Sequence, residues 1–385
     1  MRVAAYSDVE YRRDGDSLYA PESFVVFMCR LAKFVDQLTL VGRLAPDEGR
    51  SHYRVPDGVG FVALPHYARL SRPWTALGAM GRSLRRFWRL LGDVDVVWLL
   101  GPHPLAIMFV LLAALRRKRV VLGVRQDFPS HMRTRHPGNR GILAAALLLE
   151  GAFRALGRLY PLVAVGPDLA RRYRGGEVLP IVISLVDEEH VTSREQALAR
   201  SYDGELSVLS VGRLDPEKNP LLLADVFSRL REQDPRYRLV VCGDGTMKEE
   251  LAGALRAAGV AEHADLLGYV SLDGGLRDLY RNSHVFLHVS WTEGVPQVLF
   301  ESFAAGLPVV ATAVGGVPEL AEGRSVLIPP GDADAATEAT RRVVSDADLR
   351  AQLVDAGLEC VRRFSLDSEA QRVAALFAGN VASEV

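Results

Sequence analysis

Residues 285–301 read VFLHVSWTEGVPQVLFE and join a predicted strand to a predicted helix. The first six residues, VFLHVS, are mostly apolar and rich in β-branched side chains, which indicates a buried strand. Pro296 follows where a helix tolerates proline, because its missing N–H would have no intrahelical partner. A buried strand that leads into a helix is the repeating unit of a parallel α/β sheet, so this stretch predicts the fold class.

Two glutamates lie eight residues apart across this junction. Glu293 falls in the predicted loop, and Glu301 about a turn and a half into the helix. The helix start attracts an anion such as a diphosphate, and carboxylates accept hydrogen bonds from the hydroxyls of a polyol. The stretch therefore predicts a site for a sugar nucleotide.

The same alternation of strand-like runs and helical patterns extends along the whole chain. In the first half, predicted strands cover 3–7, 38–41, 60–64, 94–100, 120–124 and 162–165, and predicted helices lie near 23–34, 77–90, 105–116 and 141–156. In the second half, predicted strands cover 206–211, 239–242, 265–267, 285–289, 309–312 and 326–328. We expect two Rossmann-like, doubly wound parallel-sheet α/β domains facing across a cleft, with ligands beyond the carboxyl ends of the strands.

Length and local composition predict the domain boundaries. The 385 residues suit about two domains. We expect an N-terminal Rossmann-like domain over 1–186, a linker over 187–204 because of its polar composition, and a second Rossmann-like domain over 205–363. A C-terminal helix over 364–385 is expected to pack back on the first domain.

The bulk composition predicts an ordinary globular protein of the cytoplasm. Hydrophobic residues make up 49% and charged residues 24%, and the start of the chain lacks the apolar segment of a signal peptide. The longest apolar run, 105–115, is too short to span a bilayer. Cys29, Cys242 and Cys360 lack metal-ligand spacing and are expected to be reduced thiols.

Charge is unevenly distributed along the chain. Residues 1–186 carry 27 Lys and Arg against 15 Asp and Glu, whereas residues 187–385 carry 19 against 32. The first half therefore either meets an anionic partner, such as a phosphorylated acceptor or the inner face of a membrane, or carries solvated arginine-rich faces. Residues 82–91 (RSLRRFWRLL) present the same alternatives, a lipid-facing helix or a packed helix with a basic face. Nucleic-acid binding is not expected without a reader motif.

Four further segments of the second half end a strand with glycine or a polar group. In 211–220 (VGRLDPEKNP), Arg213 and Lys218 bracket a turn before a helix, so they predict a diphosphate clamp or a surface turn with solvated cations. The segments 241–245 (VCGDG) and 267–270 (LGYV) are weak nucleotide signals by themselves. In 306–319 (GLPVVATAVGGVPE), the paired glycines permit close backbone approach to a ligand or a tight turn.

Taken together and in this order, these segments resemble the C-terminal domain of the retaining GT-B glycosyltransferases of glycosyltransferase family 4, also called glycosyl transferases group 1. The resemblance implies transfer of a hexose-type sugar from a nucleotide diphosphate donor, most often UDP, to a hydroxyl acceptor. Products of such enzymes belong to glycoconjugate, cell-surface polysaccharide or secondary-metabolite biosynthesis. The acceptor is a small molecule or is lipid-linked, in which case peripheral membrane contact is expected.

The resemblance also implies that the domain over 1–186 binds the acceptor and the domain over 205–363 the nucleotide-sugar donor, and it assigns roles to residues. It implies that Glu293 contacts the transferred sugar, that Glu301 binds the ribose hydroxyls, and that Arg213 and Lys218 hold the diphosphate. The other donor-binding positions that it implies are Gly15, Gly212, Gly243, Asp244, Tyr269, Val270, Gly294, Val295, Pro296, Gln297 and Val298.

The first half resembles the family only in outline. The family's glycine-rich loop after the first strand corresponds to a long predicted loop, 8–21, in which Gly15 is the only glycine. Arg125 and Asp127 stand where family members carry a histidine. We therefore consider Asp127 as a catalytic residue, and His103 and Arg125 as acceptor-side candidates. Asp127 alternatively caps a turn, and His103 is alternatively a plain loop histidine.

Metal ions and cofactors are not expected. A D-x-D pattern, which another glycosyltransferase fold uses to hold a divalent cation, occurs at 14–16, 93–95, 332–334 and 346–348, and the last two look like helix starts. Two other functional classes stay open. They are a sugar-nucleotide isomerase or epimerase of the same architecture and a non-catalytic nucleotide-sugar-binding protein.

Overall fold

The computed structural model describes residues 1–66, 73–136 and 138–380. The chain divides into two compact units. The first unit contains Met1–Ile183 and the C-terminal segment from Leu366 onward, and the second contains Ser184–Ser365. Each unit is an α/β layer structure built on its own largely parallel sheet, which confirms the predicted fold class.

Seven parallel strands form the main sheet of the first unit, in the order β5-β3-β1-β6-β7-β8-β9. The strands of this unit are β1 (Arg2–Asp14), β2 (Ser17–Ala20), β3 (Gln37–Leu44), β4 (Tyr53–Arg54), β5 (Gly60–Leu64), β6 (Val96–Gly101), β7 (Arg119–Val124), β8 (Leu162–Val165) and β9 (Val178–Ile181). Its helices, numbered along the chain, are α1 (Phe24–Arg30), α2 (Pro73–Leu90), α3 (Pro104–Leu115), α4 (Phe128–Arg135), α5 (Arg140–Gly157), α6 (Pro167–Arg172) and α15 (Leu366–Ala378).

The predicted loop 8–21 is wrong, because β1 continues to Asp14 and turns into the antiparallel strand β2. Val9 and Tyr11 are buried while the residues between and after them are more exposed, so this segment has the two-residue period of a strand. Gly15 occupies the hairpin turn with φ of +58°, a conformation that glycine adopts without strain. The turn by itself accounts for a glycine at this position, and the predicted donor-binding role of Gly15 stays a prediction.

All six strands of the second unit are parallel, in the order β12-β11-β10-β13-β14-β15. They are β10 (Leu206–Val211), β11 (Tyr237–Cys242), β12 (Ala264–Gly268), β13 (Val285–His288), β14 (Val309–Thr312) and β15 (Val326–Ile328). The helices are α7 (Arg194–Leu198), α8 (Leu221–Gln233), α9 (Lys248–Ala257), α10 (Leu276–Asn282), α11 (Gln297–Ala304), α12 (Val317–Ala321), α13 (Ala333–Ser345) and α14 (Ala347–Arg363). Strand β13, which the opening stretch contains, lies in the middle of the sheet.

The predicted linker 187–204 is instead folded into the second unit. Ser193 caps α7 in a capping box, and Ala197 packs on Val354 and Leu358 of α14. Arg194 also binds Asp355 through two hydrogen bonds of 2.6 and 3.1 Å. The sequence predicts a linker here because residues 187–204 are mostly polar, and only a few apolar contacts attach them to the second unit.

The C-terminal helix α15 belongs to the first unit. Asp367 pairs with Arg30 at 3.2 Å, and Glu369 accepts a hydrogen bond from the Val182 N–H at 3.1 Å. Phe377 packs beside Trp98 with 5.7 Å between ring centroids. The last five residues of the predicted helix 364–385 lie outside the described residues.

The three cysteines are buried and free. Among the described helices, none is both long and apolar enough to cross a membrane. The predicted helix 77–90 corresponds to α2. The strands β2, β4 and β9 were not predicted because each has four residues or fewer.

Candidate functional site

A cavity of about 290 Å³ lies at the carboxyl ends of β10 and β13 in the second unit. Its wall includes Arg213, Lys218 and Glu293, together with His288 and Ser290. Pro296, Gln297 and Val298 complete one side, so the positive end of the α11 dipole lies at the cavity. Two cations, a carboxylate and a helix start thus face one space, which suits a ligand that carries both phosphate and hydroxyl groups.

Glu293 is the most strongly held side chain of this cavity, and 7% of it is exposed. Its Oε1 accepts hydrogen bonds from Lys218 Nζ at 2.6 Å and Ser290 Oγ at 2.7 Å, and His288 Nε2 lies 3.0 Å away. Burial raises the pKa of Glu293, but His288 and Lys218 together outweigh burial and lower that pKa to about 2. The carboxylate is therefore ionised at neutral pH and accepts hydrogen bonds only.

Close backbone contacts hold the loop that carries Glu293. A Cβ atom on Gly315 would lie 1.9 Å from the Glu293 carbonyl oxygen, and one on Gly316 would lie 2.2 Å from that of Gly294. The Trp291 N–H donates to the Glu217 carbonyl at 2.9 Å, which joins this loop to the turn before Lys218. The paired glycines thus serve close approach between two loops of the protein, and the Gly294–Val295 backbone is positioned by them.

Arg213 and Lys218 differ in how they are held. Lys218 ends a single 3-10 turn, after which Asn219 adopts φ of +52°, and its ammonium binds Glu293. Arg213 is 65% exposed and binds Asp215 and Glu217, each at 2.6 Å. Exposed ion pairs contribute little, so Arg213 can exchange these partners for a phosphate at small cost.

Glu301 does not line this cavity. It faces a separate, smaller pocket of about 30 Å³ with Tyr280, whose Oη donates to Glu301 Oε2 at 2.7 Å. Burial raises the pKa of Glu301 above its usual value, although the Tyr280 hydrogen bond opposes this. Helix periodicity places Glu301 on α11, but the direction in which it points was not predictable from spacing.

The strand ends next to the cavity are joined through backbone hydrogen bonds. The Gly212 N–H donates to the Cys242 carbonyl at 3.0 Å, and the Gly243 N–H donates to the Gly268 carbonyl at 2.7 Å. Gly243 has φ of +146°, and a Cβ atom there would lie 1.8 Å from the Gly212 carbonyl oxygen. This glycine is therefore required by the packing of β10 against β11.

Asp244 connects the end of β11 to the end of β12. It accepts a hydrogen bond from the Tyr269 N–H at 2.8 Å and binds Lys248 at 2.7 Å, so it orders the Tyr269–Val270 exit. The Tyr269 side chain is 69% exposed. It is thus accessible to a planar ligand, as its predicted place beside a base requires.

The first unit carries a second group of charged side chains at its strand ends. His103 Nδ1 accepts from the Leu105 N–H at 3.3 Å and lies 2.9 Å from Tyr6 Oη, while its Nε2 lies 3.4 Å from Asp8 Oδ2. Arg43 binds Asp8 at 3.0 Å. Burial lowers the pKa of His103, Asp8 opposes this, and Arg43 adds to it, so the ring is neutral at pH 7.

Glu10 and His66 extend this group, with 2.8 Å between Glu10 Oε2 and His66 Nε2. We call Asp8, Glu10, Arg43, His66 and His103 the first-unit polar cluster. Apart from His103, the sequence does not predict this cluster, because its pattern predicts a loop over 8–21. The alternation of acids with buried Val9 and Tyr11 is the signal that would have revealed them.

Asp127 and Arg125 are engaged in local structure. Asp127 caps α4 by accepting from the Ser130 N–H at 3.3 Å, and it also binds the guanidinium of Arg172. Burial raises its pKa, but Ser130 and Arg172 outweigh this and lower it. Arg125 binds Glu22 and lies over the Phe24 ring. The structure thus favours the capping role of Asp127 over the predicted catalytic one.

The D-x-D segments have structural roles where they are described. Asp332 and Asp346 are the N-caps of α13 and α14, as expected, and Asp95 binds Arg2. The three side chains of Asp187, Glu189 and His190 could together hold a metal ion. That group does not belong to any D-x-D segment.

A family model matches most of the second unit. Residues 193–359 match the family model of the glycosyl transferases group 1. This part of the chain is therefore similar to the glycosyl transferases group 1. The match lies within the second unit and includes Arg213, Lys218, Glu293 and Glu301. The predicted resemblance is therefore confirmed for the half of the chain whose motifs carried it.

Curated relatives agree with this family. The phosphatidylinositol N-acetylglucosaminyltransferase gpi3 subunit of Schizosaccharomyces pombe is 31% identical over 141 residues, which cover 37% of this chain and 31% of that protein. The chain thus spans about a third of the length of that relative. A phosphatidyl-myo-inositol mannosyltransferase of Mycobacterium leprae is 28% identical over 351 residues, 88% of this chain and 86% of that protein.

A solved structure extends the likeness to both units. The crystal structure of HepE from Anabaena in complex with UDP has a TM-score of 0.70 and 16% identity, and covers 98% of this chain and 100% of that chain. At this identity the likeness concerns the fold, which is GT-B. The first-unit polar cluster lies outside the segment that the group 1 family model matches.

Proposed function

We propose that this protein is a retaining glycosyltransferase that moves a hexose-type sugar from a nucleotide diphosphate donor to a hydroxyl acceptor. The observation that carries the proposal is the cavity in which ionised Glu293, Lys218, Arg213 and the start of α11 meet. Cations and a helix dipole match a diphosphate, and an ionised carboxylate matches the hydroxyls of a sugar.

The cavity provides what the difficult step of this reaction needs. As the bond between the anomeric carbon and the phosphate oxygen breaks, negative charge develops on the departing nucleoside diphosphate. Lys218 and Arg213 stabilise that charge together with the α11 dipole, and removing one such donor typically costs on the order of 3 kcal/mol of barrier. Glu293, which is unable to donate, holds sugar hydroxyls.

In the mechanism that we propose, the acceptor attacks from the side of the leaving group, which retains the configuration of the anomeric carbon. The departing phosphate oxygen then takes the proton of the acceptor hydroxyl, so a strong protein base is unnecessary. On the acceptor side we assign orientation of the hydroxyl to His103, whose neutral ring is held by Tyr6 and Asp8. Asp127 has no part in this proposal, because it caps α4.

We propose UDP as the nucleotide. The proposal is supported by the HepE structure, which contains UDP in a protein of the same fold. Tyr269 is exposed beside the Asp244-bound strand exit, where a uracil ring can stack, and Glu301 lies in the neighbouring pocket with Tyr280.

A thermal-shift screen tests the proposal. UDP-hexoses should raise the melting temperature by several degrees, since a ligand at a hundred times its Kd adds about 2.7 kcal/mol to stability. Mass spectrometry should then detect a glycosylated acceptor. The double variant Arg213→Met/Lys218→Met is the control, and it should lose the shift. No shift with any UDP- or GDP-sugar, together with no donor turnover, contradicts the proposal.

The same assays separate the other two classes. A new sugar nucleotide formed without acceptor indicates an isomerase or epimerase. A nucleotide-sugar-binding protein without activity shows the thermal shift but no turnover, and Glu293→Ala would change its binding only.

We also propose that no metal ion is required. In this scheme Lys218, Arg213 and the helix dipole take the place of a cation at the diphosphate. Excess EDTA should leave turnover within about twofold of the untreated enzyme. A loss that Mg²⁺ or Mn²⁺ restores contradicts the proposal, and Asp187, Glu189 and His190 would then be the first residues to substitute.

A basic and apolar surface of the first unit supports a lipid-linked acceptor and peripheral membrane contact. Helix α3 is apolar all round, and Leu111 and Leu115 are 59% and 74% exposed. Arg116 lies 4.0 Å from the ring centroid of the half-exposed Trp88 on α2, a helix without acidic residues. Exposed leucine and tryptophan beside arginines match the inner face of an anionic membrane.

Vesicle sedimentation tests this contact. The protein should bind vesicles of phosphatidylglycerol and phosphatidylcholine more than vesicles of phosphatidylcholine alone. Leu111→Glu/Leu115→Glu should abolish the difference. Leu147→Glu/Leu148→Glu on α5 is the matched control, since these leucines are 53% and 75% exposed. Equal effects of the two double variants would contradict a specific surface.

A further inference from the structure

A histidine ends the central strand of the second unit, where an apolar residue is expected. Strand β13 is buried along its length, and Val285 and Leu287 belong to the hydrophobic core. His288 is 6% exposed, and its ring stacks on Phe286 with 6.3 Å between centroids. Strands that are covered on both faces are usually apolar, so a buried polar ring here needs a reason.

His288 has one acceptor in reach. Its Nε2 lies 3.0 Å from Glu293 Oε1, within hydrogen-bonding distance, yet this buried nitrogen forms no well-aligned hydrogen bond to any described residue. A buried donor without a partner costs about 1–3 kcal/mol. A small rotation of the Glu293 carboxylate is sufficient to recover the bond.

The donors around Glu293 are arranged asymmetrically. Lys218 and Ser290 both donate to Oε1, and His288 approaches the same atom. Within the described part of the chain, no donor binds Oε2. One oxygen is therefore held by the protein, while the other is left for a ligand in the cavity.

We propose that His288 is a positioning residue for Glu293. When a donor sugar binds, Nε2 of His288 donates to Oε1 of Glu293 and fixes the carboxylate so that Oε2 accepts from a sugar hydroxyl. The inference rests on the proposed function. It adds a residue that acts through Glu293, because the Nε2 atom of His288 is buried and lies 3.0 Å from Glu293 Oε1, although the residue belongs to the cavity wall. Alignment that tightens only with ligand present is common in enzyme sites.

Substitution of His288 by residues with and without a donor tests the proposal. His288→Gln keeps an N–H donor near the Nε2 position, and His288→Met fills similar space without one. We expect His288→Met to lower kcat/KM for the nucleotide sugar by about tenfold or more, which corresponds to one charge-assisted hydrogen bond. The affinity for UDP, which lacks the sugar, should change less than about twofold, and His288→Gln should recover most of the activity.

A purely structural role predicts a different pattern. His288→Met and His288→Gln would then weaken UDP binding and turnover in parallel, or leave both unchanged, and either result overturns the proposal. If His288→Met fails to fold, His288→Asn replaces it, because its shorter amide does not reach Glu293, and its activity should fall below that of His288→Gln. Wild-type protein without turnover of any nucleotide sugar overturns the proposed function instead, so the two failures are distinguishable.

Discussion

The two units share a parallel α/β sheet but differ in how their strand ends are built. In the second unit the strands end in short turns, and Glu293, whose backbone packs closely on Gly315, lies with Lys218 at one cavity. In the first unit β1 runs on into a hairpin, and its acids Asp8 and Glu10 pair with basic side chains from other strands and loops. Two units with the same sheet architecture can therefore carry different functional groups at the ends of their strands.

The electrostatics of the two edges also differ. Glu293 is ionised because His288 and Lys218 outweigh burial and lower its pKa, whereas the pKa of His103 is lowered chiefly by burial, so its ring is neutral at pH 7. An ionised carboxylate suits the hydroxyls of a nucleotide sugar, from which it can accept hydrogen bonds beside the phosphates. A neutral histidine ring suits the orientation of the hydroxyl group that receives the sugar. The following predictions test this division between the units.

Removing the Glu293 charge should have the largest effect on activity. Glu293→Gln keeps the shape of the side chain but loses the ionised acceptor, so kcat should fall on the order of 10²-fold. Glu10→Gln in the first unit is the matched control, and it should alter the acceptor KM more than donor hydrolysis. Steady-state kinetics with donor and acceptor varied separately provide the measurement. Comparable losses of donor hydrolysis in both variants would break the comparison.

Replacing a glycine by alanine should lower the free energy of unfolding more at Gly243 in the second unit than at Gly15 in the first. Gly243→Ala places a Cβ atom 1.8 Å from a backbone oxygen at φ of +146°, so unfolding free energy should fall by about 3 kcal/mol or more. At Gly15, with φ of +58°, a Cβ atom would meet no described atom within 4 Å, so Gly15→Ala should cost about 1 kcal/mol and leave UDP binding intact. Urea denaturation and a UDP titration measure both effects. Loss of UDP binding in Gly15→Ala would restore its predicted donor role.

Removing a cation should weaken UDP binding in the second unit but not in the first. Lys218→Met removes a charge beside the cavity, and UDP affinity should fall about tenfold. Arg43→Met removes a charge that binds Asp8 and Glu10, and UDP affinity should stay within about twofold. Isothermal titration with UDP at one fixed salt concentration distinguishes them. Equal weakening would mean that the two edges are not independent.

The smallest effects concern pH. His103 has a pKa below its usual value, so the unfolded state binds its proton more readily, and stability falls as the pH drops below about 6.5. Glu293 has a pKa near 2, so its contribution is complete above about 4.5 and is lost as the pH falls toward 2. The fall in melting temperature between pH 6.5 and pH 5 should therefore be about 2 °C smaller in His103→Gln than in the wild-type protein. Glu293→Gln should change the slope only below about pH 4.5, and the opposite pattern would contradict these assignments.

Most of the second unit was predictable from the sequence because its signals are local. The predicted strands 206–211, 309–312 and 326–328 agree with β10, β14 and β15, since each is a short β-branched run between turn residues. Helix α11 and the position of Glu293 before it follow from the same stretch. Their roles in ligand binding stay predictions until the experiments above are done.

Other features depended on contacts between distant segments. The segment 187–204 is polar, yet α7 packs on α14, more than 150 residues away. Asp127 and its partner Arg172 lie on different helices, so capping and pairing were not distinguishable from catalysis by sequence. Glu301 lies eight residues after Glu293, a spacing that predicts a common site, but its carboxylate accepts a hydrogen bond from Tyr280 in a separate pocket.

The sequence by itself determined the parallel α/β class, the order of the strand-end motifs and their resemblance to the glycosyl transferases group 1, because these depend on the hydrophobic period and on contiguous turn residues. Only the tertiary structure decided which charged side chains share a pocket, that residues 8–14 are strand, and that His288 lies against Glu293. The physical reason is that side-chain direction and burial depend on packing partners far along the chain, and these set both the pKa and the partner of each polar group.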